Sequence, residues 1–277
     1  MRRERLDLLL VQRGLAESRA RAQWLIRNGR VRVDGAVCRR SGALVDVEAP
    51  IVVWEPLHYV SRGGLKLEHA LWRFRVPVAG CTALDCGAST GGFTDCLLQH
   101  GAGRVYAVDV GHGQMHPRLR QDERVVVLEG VDIRRADALP PGVQVDLAVV
   151  DVSFISLRAV LPAVLRWLEP EGWLIALIKP QFEAGPGAVG RRGVVRRPER
   201  VRQAVGEVLR FAHDLALGLI DLTLAPPDSE RGNVEVLACW RRGAAGLSPE
   251  EALVRLEGEW RRGSSDEGPC MRNGPPV

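Results

Sequence analysis

Continuous apolar runs recur about every 20–25 residues along most of the chain, and no other feature of the sequence constrains the fold as strongly. Five of these runs lie at Thr82–Leu84, Val105–Val108, Val125–Leu128, Leu147–Val150 and Trp173–Ile178. Helical patterns separate or follow them, at Phe93–His100, Leu157–Leu168 and Pro198–Leu217. Apolar strands that alternate with helices are typical of a parallel sheet covered on both faces. With a closing pair of strands at Ile220–Leu224 and Val234–Cys239, the sequence predicts a doubly wound α/β sheet of seven strands.

Length and composition exclude several classes of protein. A chain of 277 residues with 46% hydrophobic residues can bury a large core and usually forms two domains. The 26% charged fraction is ordinary, which argues against low-complexity disorder and fibrous repeats. No uncharged stretch approaches the ~18 apolar residues of a membrane span, and the N-terminus has no signal-peptide core. Six cysteines without a C-x-x-C pair argue against a zinc site and a disulfide scaffold, so we expect no metal and a cytoplasmic location.

The first strand runs directly into a glycine-rich turn, LDCGASTGGFT at residues 84–94. Such a turn lets the backbone approach a nucleotide-like ligand closely. Asp109 closes the second strand, where a carboxylate can bind two ribose hydroxyls. The sequence lacks both the G-x-G-x-x-G fingerprint and the phosphate loop of nucleotide-binding proteins. A ligand with an adenosine ribose and no phosphates fits best, which favours S-adenosylmethionine over a nicotinamide cofactor or a purely structural turn.

Positive charge is concentrated at the N-terminal end of the chain. Residues 1–50 carry eleven arginines against six acidic residues, a local net charge of +5, although the whole chain has only +4. This basic segment predicts a module that binds a polyanion, with a solvated arginine-rich face as the alternative. Its pattern predicts a short helix ending at Arg13-Gly14, a second helix over Arg19–Arg27 with Ser18 as N-cap, and a hairpin on the Asp34-Gly35 turn. Over about residues 4–50 it resembles the S4 RNA-binding domain.

Lysine is unusually rare in this chain. Of 38 basic residues only Lys66 and Lys179 are lysines. Lysine can lose its proton in a desolvated site, whereas arginine stays charged, so both lysines are candidates for chemistry, with chance survival as the alternative. Lys179 and Asp151 each follow a predicted strand, Lys66 lies where the second domain begins, and Glu235 opens the last strand. Four such side chains at one sheet edge would form a polar cluster that can act on a hydroxyl.

This order of residues resembles the Lys-Asp-Lys-Glu tetrad of the FtsJ-like ribose 2′-O-methyltransferases. The segments SRGGLKL, LDCGASTGGFTD, DVGHGQ, RVVVLEG, DVSFISL, IKPQFEAG and GNVE, behind an S4-like domain, resemble the hemolysin A (TlyA) family over about residues 1–242. The resemblance implies a Rossmann-like class I methyltransferase fold that uses S-adenosylmethionine. It also implies 2′-O-methylation of ribosomal RNA at cytidines of 16S and 23S rRNA, with the 30S and 50S subunits as partners. His112 departs from the tyrosine that is common in DVGHGQ, which we expect to affect only local packing.

The resemblance also implies roles for individual residues. The expected cofactor-binding residues are Asp85, Gly87, Ala88, Ser89, Thr90, Gly91, Gly92 and Phe93 in the turn, Asp109 at the ribose hydroxyls and Asp132 at the adenine amino group. An equal alternative to this adenine-binding role is that Asp132 is the N-cap of a helix beginning at Ile133. The expected catalytic residues are Lys179, which polarises the 2′-hydroxyl or accepts its proton, Asp151, which assists it, and Lys66 and Glu235, which orient the ribose and hold Lys179. The expected RNA-binding residues are Arg3, Arg5, Arg19, Arg21, Arg30 and Arg62.

The domain organisation follows from these segments. We expect an S4-like domain at residues 1–55, a linker at 56–60, a methyltransferase domain at 61–243, and a C-terminal helix over Ser248–Glu259 followed by a disordered tail up to residue 277. The arginines of the loop at Ala184–Val195 and just beyond it (Arg191, Arg192, Arg196 and Arg197) are expected to face RNA, with a solvated loop as the alternative. Two other functions stay open: an RNA-binding assembly factor with a vestigial cofactor fold, and a membrane-active hemolysin, which no apolar span supports.

Overall fold

The computed structural model of the chain describes residues 3–16, 18–27, 29–53, 59–135, 137–185, 187, 189–190, 193–195, 197–226 and 233–265, the last four without their side chains. The chain divides into two compact units. The first is built on Met1–His58, and the second on Tyr59–Pro226 together with Gly232–Arg261. The expected linker falls mostly on residues 54–58, and the expected disordered tail on residues 266–277, which lie outside the described residues.

The first unit contains the helices and the hairpin that the sequence predicts. Its helices are α1 (Leu6–Gln12) and α2 (Arg19–Arg27), and its strands are β1 (Arg3–Arg5), β2 (Val31–Val33), β3 (Ala36–Val37), β4 (Leu44–Asp46) and β5 (Ile51–Val53). Ser18 caps α2 as predicted, because its hydroxyl accepts the N–H of Arg21 at 3.2 Å. The strands β3, β2 and β5 form one antiparallel sheet, and β1 pairs with β4 in a second sheet that the sequence pattern did not reveal.

The second unit is the seven-stranded sheet. Along the chain it contains α3 (Gly63–Phe74), β6 (Thr82–Cys86), α4 (Gly92–Gln99), β7 (Arg104–Asp109), α5 (Pro117–Arg120), β8 (Val125–Glu129), β9 (Val145–Val150), α6 (Leu157–Val164), β10 (Leu168–Ile178), α7 (Pro180–Glu183), α8 (Pro198–Asp214), β11 (Leu217–Leu224), β12 (Val236–Arg242) and α9 (Pro249–Ser265). The strand order is β11-β12-β10-β9-β6-β7-β8. Strand β12 lies between β10 and β11 and is antiparallel to both, while the pairs among β10, β9, β6, β7 and β8 are parallel, so the prediction of a mostly parallel sheet with a terminal hairpin is confirmed.

Several element boundaries differ from the sequence expectations. Helix α8 ends at Asp214 because Leu217 already begins β11, β12 covers Val236–Arg242 instead of Val234–Cys239, and α9 continues to Ser265 beyond the expected Glu259. The helix expected over Leu157–Leu168 ends at Val164, because Leu168 already pairs with Val145 as the first residue of β10. Strand β10 is therefore eleven residues long instead of the six expected. The cause is a break in the apolar pattern: the hydrophilic segment Glu169–Glu171 within the strand has the composition of a loop.

The core of this unit lies on both faces of the sheet. Neighbouring strands carry fully buried apolar side chains, among them Leu84, Leu147, Leu174 and Trp240. From β6 the chain proceeds to β7 and β8 on one side and then returns to β9 on the other. The carboxyl ends of β6 and β9 therefore lie at the point where the strand order reverses, which is where doubly wound sheets bind ligands. Among the described residues, no helix is both long enough and apolar enough to cross a membrane.

Candidate active site

The glycine-rich turn between β6 and α4 packs closely against the neighbouring strand ends. Gly87 has a φ of +89°, and a Cβ atom at this position would fall on the backbone carbonyl oxygen of Asp151. Gly91 has a φ of +94°, and a Cβ atom there would lie 2.6 Å from the Sδ of Met115. Both positions therefore require glycine for conformation and for space. The turn lies in contact with Asp151, so the expected cofactor loop and an expected catalytic residue share one edge of the sheet.

The start of α3 packs on the other side of the same turn. A Cβ atom at Gly92 would fall on the hydroxyl of Ser61, and a Cβ atom at Gly63 would lie 3.5 Å from the ring of Phe93. Phe93 is buried by this contact, whereas Ser89 and Thr90 are exposed at the tip of the turn. The helix that carries Lys66 is thus positioned directly by the glycine-rich turn.

Asp109 lies at the end of β7 and orders the backbone around it. One oxygen of its carboxylate accepts the N–H of Ser89 at 2.8 Å, and the other accepts the N–H of Gly111 at 2.7 Å. A carboxylate has about four acceptor positions, so two bonds leave it able to accept ribose hydroxyls. This geometry agrees with the expected role of Asp109 in holding a ribose.

Asp132 follows β8 and is engaged locally. Its carboxylate accepts the backbone N–H of Arg134 at 2.9 Å and forms an ion pair with the guanidinium of Arg134 at 2.5 Å. Hydrogen bonds from Arg134 lower the pKa of Asp132. The residues after it form a turn and not a regular helix, so the helix N-cap alternative is wrong in detail, although the side chain does cap a turn. The role of Asp132 at the adenine amino group stays a prediction.

Asp85 is completely buried beneath the glycine-rich turn. Its Oδ2 accepts the hydroxyl of Thr94 at 2.6 Å, while its Oδ1 has no hydrogen-bond partner among the described residues. Burial raises the pKa of Asp85 to about 7, and the nearby carboxylate of Asp151 adds to the effect. A buried acceptor without a partner fits a ligand that brings a hydrogen-bond donor or a positive charge. The ammonium and sulfonium groups of S-adenosylmethionine meet this requirement.

The four expected catalytic side chains form two ion pairs at this edge. Lys179 Nζ lies 2.6 Å from Oδ1 of Asp151, and Lys66 Nζ lies 2.7 Å from Oε2 of Glu235. Ile178 and Val236 form the last pair of β10 and β12, so Lys179 and Glu235 lie just beyond the same end of these two strands. The structure therefore brings the four expected residues together as two ion pairs, and their catalytic role stays a prediction. Lys66 is only 6% exposed, and a buried ammonium is costly unless a carboxylate neutralises it. The ion pair with Glu235 therefore allows the charge of Lys66 to be buried.

Two residues beside Lys179 were not expected from the sequence. The ammonium of Lys179 donates to Oγ of Ser153 at 2.9 Å. Phe154 has a φ of +63°, is 91% exposed, and packs its ring 5.1 Å from that of Phe182. An exposed phenylalanine in a strained conformation is uncommon and is a feature of functional sites. The segment DVSFISL contains both residues, but serine and phenylalanine are too common for the pattern to mark them.

The arginines of the first unit are partly engaged within it. The carboxylate of the buried Asp7 accepts from Arg5 at 2.9 Å, from Arg19 at 3.0 Å and from Gln23 at 2.7 Å. Arg5 and Arg19 nevertheless keep 41% and 52% of their side chains exposed. Therefore these two arginines are held in place by Asp7 and are not simply solvated.

The other expected RNA-binding residues lie in different settings. Arg21 lies over the ring of Trp24 at 4.5 Å, Arg3 is exposed on β1, and Arg30 is half-buried just before β2. Arg62 belongs to the second unit and immediately precedes α3. Of the arginines expected to face RNA in and beyond the loop at residues 184–195, Arg197 is exposed directly before α8, and Arg191, Arg192 and Arg196 lie outside the described residues.

Comparison with known families agrees with both units. Residues 59–242 match the FtsJ-like methyltransferase family, and residues 4–51 match the S4 domain. The 16S/23S rRNA (cytidine-2′-O)-methyltransferase TlyA of Mycobacterium tuberculosis is 45% identical over 264 residues, which are 93% of this chain and 98% of that protein. The chain belongs to the TlyA family of FtsJ-like methyltransferases.

Two further relatives support this membership. YqxC of Bacillus subtilis is 43% identical to this TlyA-family chain over 262 residues, 92% of this chain and 93% of that protein. The solved structure of a protein from Streptococcus thermophilus, described as a hemolysin, is 37% identical in sequence to this chain. The match covers 96% of this chain and all of that chain, with a TM-score of 0.69. The predicted fold class, with an S4 domain before a methyltransferase sheet, is confirmed. The methyltransferase family and fold also support S-adenosylmethionine as the cofactor.

Proposed function

We propose that this protein transfers a methyl group from S-adenosylmethionine to the ribose 2′-hydroxyl of cytidines in 16S and 23S rRNA, acting on the 30S and 50S ribosomal subunits. The observation that carries the proposal is the pairing of Lys179 with Asp151 and of Lys66 with Glu235 beside the glycine-rich turn. A lysine held by a carboxylate next to a cofactor cradle suits proton transfer from a hydroxyl. The relationship to the TlyA enzyme of Mycobacterium tuberculosis supports the choice of RNA and nucleotide.

The chain supplies a binding site for the cofactor around its glycine-rich turn. The turn at Gly87 and Gly91 would hold it, with Asp109 at the ribose and Oδ1 of Asp85 at a donor or positive group. S-adenosylmethionine, when bound, supplies a methyl group on a positively charged sulfur, so the chain need not activate that group further.

The catalytic work of the chain is to orient a hydroxyl and to manage its proton. Lys179 polarises the 2′-hydroxyl as an ammonium or accepts its proton as a neutral amine, and Asp151 and Ser153 hold its Nζ in position. Lys66 and Glu235 form a second, largely buried pair that orients the ribose. Because these groups are already positioned by ion pairs, alignment contributes a large part of the rate.

Replacement of Lys179 tests the reaction and its catalyst together. Unmodified 30S and 50S subunits are incubated with radiolabelled S-adenosylmethionine, and the RNA is digested to nucleosides and separated. We expect label in a 2′-O-methylnucleoside and a loss of about 10²-fold or more in Lys179→Ala, since a proton-transfer group contributes 10²–10⁴-fold. Cofactor affinity, measured by calorimetry, should stay within about twofold of the wild type because Lys179 lies outside the cradle.

The control is Lys179→Arg, which keeps the positive charge but cannot lose its proton. We expect it to be almost as inactive as Lys179→Ala; full activity would rule out the role of Lys179 in proton transfer. Label on a base would keep the methyltransferase activity and reject the ribose as its target. No label on either subunit, together with an absence of cofactor binding, would instead favour an RNA-binding assembly factor with a vestigial cofactor fold.

A further inference from the structure

Glu183 is a buried carboxylate that none of the preceding roles uses. It lies at the end of α7, four residues after Lys179, and is only 4% exposed. Its Oε2 accepts the hydroxyl of Ser156 at 2.6 Å, and its Oε1 accepts the backbone N–H of Leu157 at 2.7 Å. Both partners belong to the start of α6, which follows the loop that carries Asp151. Glu183 therefore connects the segment after β10 with the segment after β9.

The same two segments are also connected at their other end. There the Nζ of Lys179 contacts Asp151 at 2.6 Å and Ser153 at 2.9 Å. The backbone N–H of Phe182 bonds the carbonyl of Lys179 at 2.9 Å, so the turn between Lys179 and Glu183 is itself internally bonded. The loop at residues 151–156 and the turn at residues 179–183 thus form a closed ring with an ion pair at one end and the carboxylate of Glu183 at the other.

The ring matters because the loop within it is strained. Phe154, in the middle of residues 151–156, has a φ of +63°, a conformation that a bulky residue adopts only when its surroundings enforce it. Asp151 is fixed on its own side by the bond of its N–H to the carbonyl of Cys86 at 2.9 Å. On the far side of Phe154, the bonds to Glu183 hold Ser156 and Leu157. Without them, the loop could relax and move Ser153 and the carboxylate of Asp151 relative to Lys179, while the backbone of Asp151 stays fixed by Cys86.

We propose that Glu183 is a positioning residue for catalysis, which fixes the geometry of the Lys179–Asp151 pair by joining the two loops that carry it. This inference rests on the proposed function, in which Lys179 acts on the 2′-hydroxyl. A displacement of about 1 Å in a catalytic group can reduce the rate about 10²-fold. Glu183 does not contact the glycine-rich turn through any bond described for it, so its effect should fall on the chemical step and spare cofactor binding.

The test compares Glu183→Ala with Glu183→Gln. We expect Glu183→Ala to lower kcat at least tenfold, with the cofactor dissociation constant within about twofold of the wild type. Glutamine keeps an oxygen for the N–H of Leu157 and can donate to the hydroxyl of Ser156, so Glu183→Gln should retain kcat within about threefold. A residue needed only for general stability would not produce this separation between kcat and cofactor affinity.

The matched control is Glu207→Ala. Glu207 on α8 and Glu183 share Arg158 as a neighbour. The carboxylate of Glu207 lies 3.3 Å from Nη1 of Arg158, and the carboxylate of Glu183 lies 3.7 Å from Nε of the same side chain. No bond described for Glu207 reaches the loop at residues 151–156, so this variant should keep the wild-type kcat. If Glu183→Ala does not fold, Ser156→Ala takes its place, since it removes one of the two bonds; a smaller fall in kcat with unchanged cofactor affinity is expected.

Two results would overturn the inference. One is a wild-type kcat in Glu183→Ala and Ser156→Ala, and the other is a parallel loss of kcat and cofactor affinity in both. Parallel assays of Lys179→Ala distinguish this failure from that of the proposed function. If Lys179→Ala is inactive while Glu183→Ala is fully active, only the role of Glu183 is rejected, whereas activity in Lys179→Ala rejects the proposed function itself.

Discussion

At the scale of single residues, burial determines the charge of Asp85. The side chain has no exposed surface, and its Oδ2 accepts the hydroxyl of Thr94 at 2.6 Å. Burial disfavours the ionised form, which is why the pKa of this carboxyl lies at about 7 instead of near its ordinary value. The protein therefore maintains a carboxyl group that is near its titration midpoint at neutral pH directly beneath the cofactor cradle.

This shift makes the stability of the protein depend on pH. Between about pH 4 and pH 7 the folded state binds the proton of Asp85 more tightly than the unfolded state, so the free energy of unfolding falls as the pH rises. Asp85→Asn should remove this contribution while keeping an oxygen for Thr94. We expect its free energy of unfolding, relative to wild type, to increase by on the order of 2–3 kcal/mol from pH 5 to pH 8.

Urea unfolding of both proteins without cofactor, at several values of pH, measures this difference. Equal pH dependence in the two proteins would falsify the assignment of the raised pKa to Asp85. The same variant should bind S-adenosylmethionine more weakly, since a neutral amide cannot provide a negative charge for the cofactor.

At the scale of elements, the turn between β6 and α4 creates the site because its glycines permit backbone contact. We expect Gly87→Ala to weaken cofactor binding at least tenfold, since its Cβ would displace the carbonyl of Asp151. Gly142→Ala is the control: Gly142 also has a positive φ, of +77°, but nothing lies within 4 Å of its Cβ position.

Calorimetric titration with S-adenosylmethionine and thermal unfolding separate the two effects. Gly142→Ala should show only the conformational cost of a left-handed residue, about 1–2 kcal/mol, with unchanged cofactor affinity. If both alanine variants lose affinity equally, then backbone strain, and not contact with Asp151, is the reason for glycine at position 87.

The sequence predicted these elements well where the apolar pattern was continuous. The strands β6, β7, β8 and β9 fall within two residues of their expected bounds. The pattern failed at β10, where the polar residues Glu169 to Glu171 lie within a strand that pairs with β9 and β12. It also missed the two-stranded pairing of β1 with β4, since strands of three residues leave no recognisable period.

At the scale of the whole molecule, charge separates the two units. The +5 of residues 1–50 exceeds the net charge of the entire chain, so the first unit is the expected anchor for a polyanion. In this unit Asp7 holds Arg5 and Arg19 while leaving each about half exposed. Hydrogen bonds from Arg5, Gln23 and Arg19 outweigh the effect of burial and hold the pKa of Asp7 well below its usual range. The arginines are therefore organised before RNA arrives.

Combined replacement of four N-terminal arginines tests this anchor. We expect alanine at Arg3, Arg19, Arg21 and Arg30 to weaken binding to rRNA and to reduce the slope of log Kd against log salt by up to about 3, because each lost phosphate contact removes about 0.7–0.9. The measurement is a filter-binding titration at several salt concentrations.

A charge-matched control replaces four exposed arginines of the second unit, Arg200, Arg202, Arg210 and Arg255. It loses the same charge, and we expect it to retain most of the affinity and of the salt dependence. An equal loss in both variants would show that net charge alone matters and that the N-terminal unit is not the anchor.

The sequence by itself determined the class of fold, the glycine-rich turn and the four residues that we expect to form the tetrad. These properties are encoded locally, in the period of apolar residues and in residue types such as a lysine that arginine cannot replace. Only the tertiary structure decided which side chains pair. Lys66 and Glu235 are 169 residues apart in the chain and meet because β12 is inserted beside β10. The contacts of Ser153, Phe154 and Glu183 likewise depend on loops brought together by the sheet, and common residue types give no local signal of such contacts.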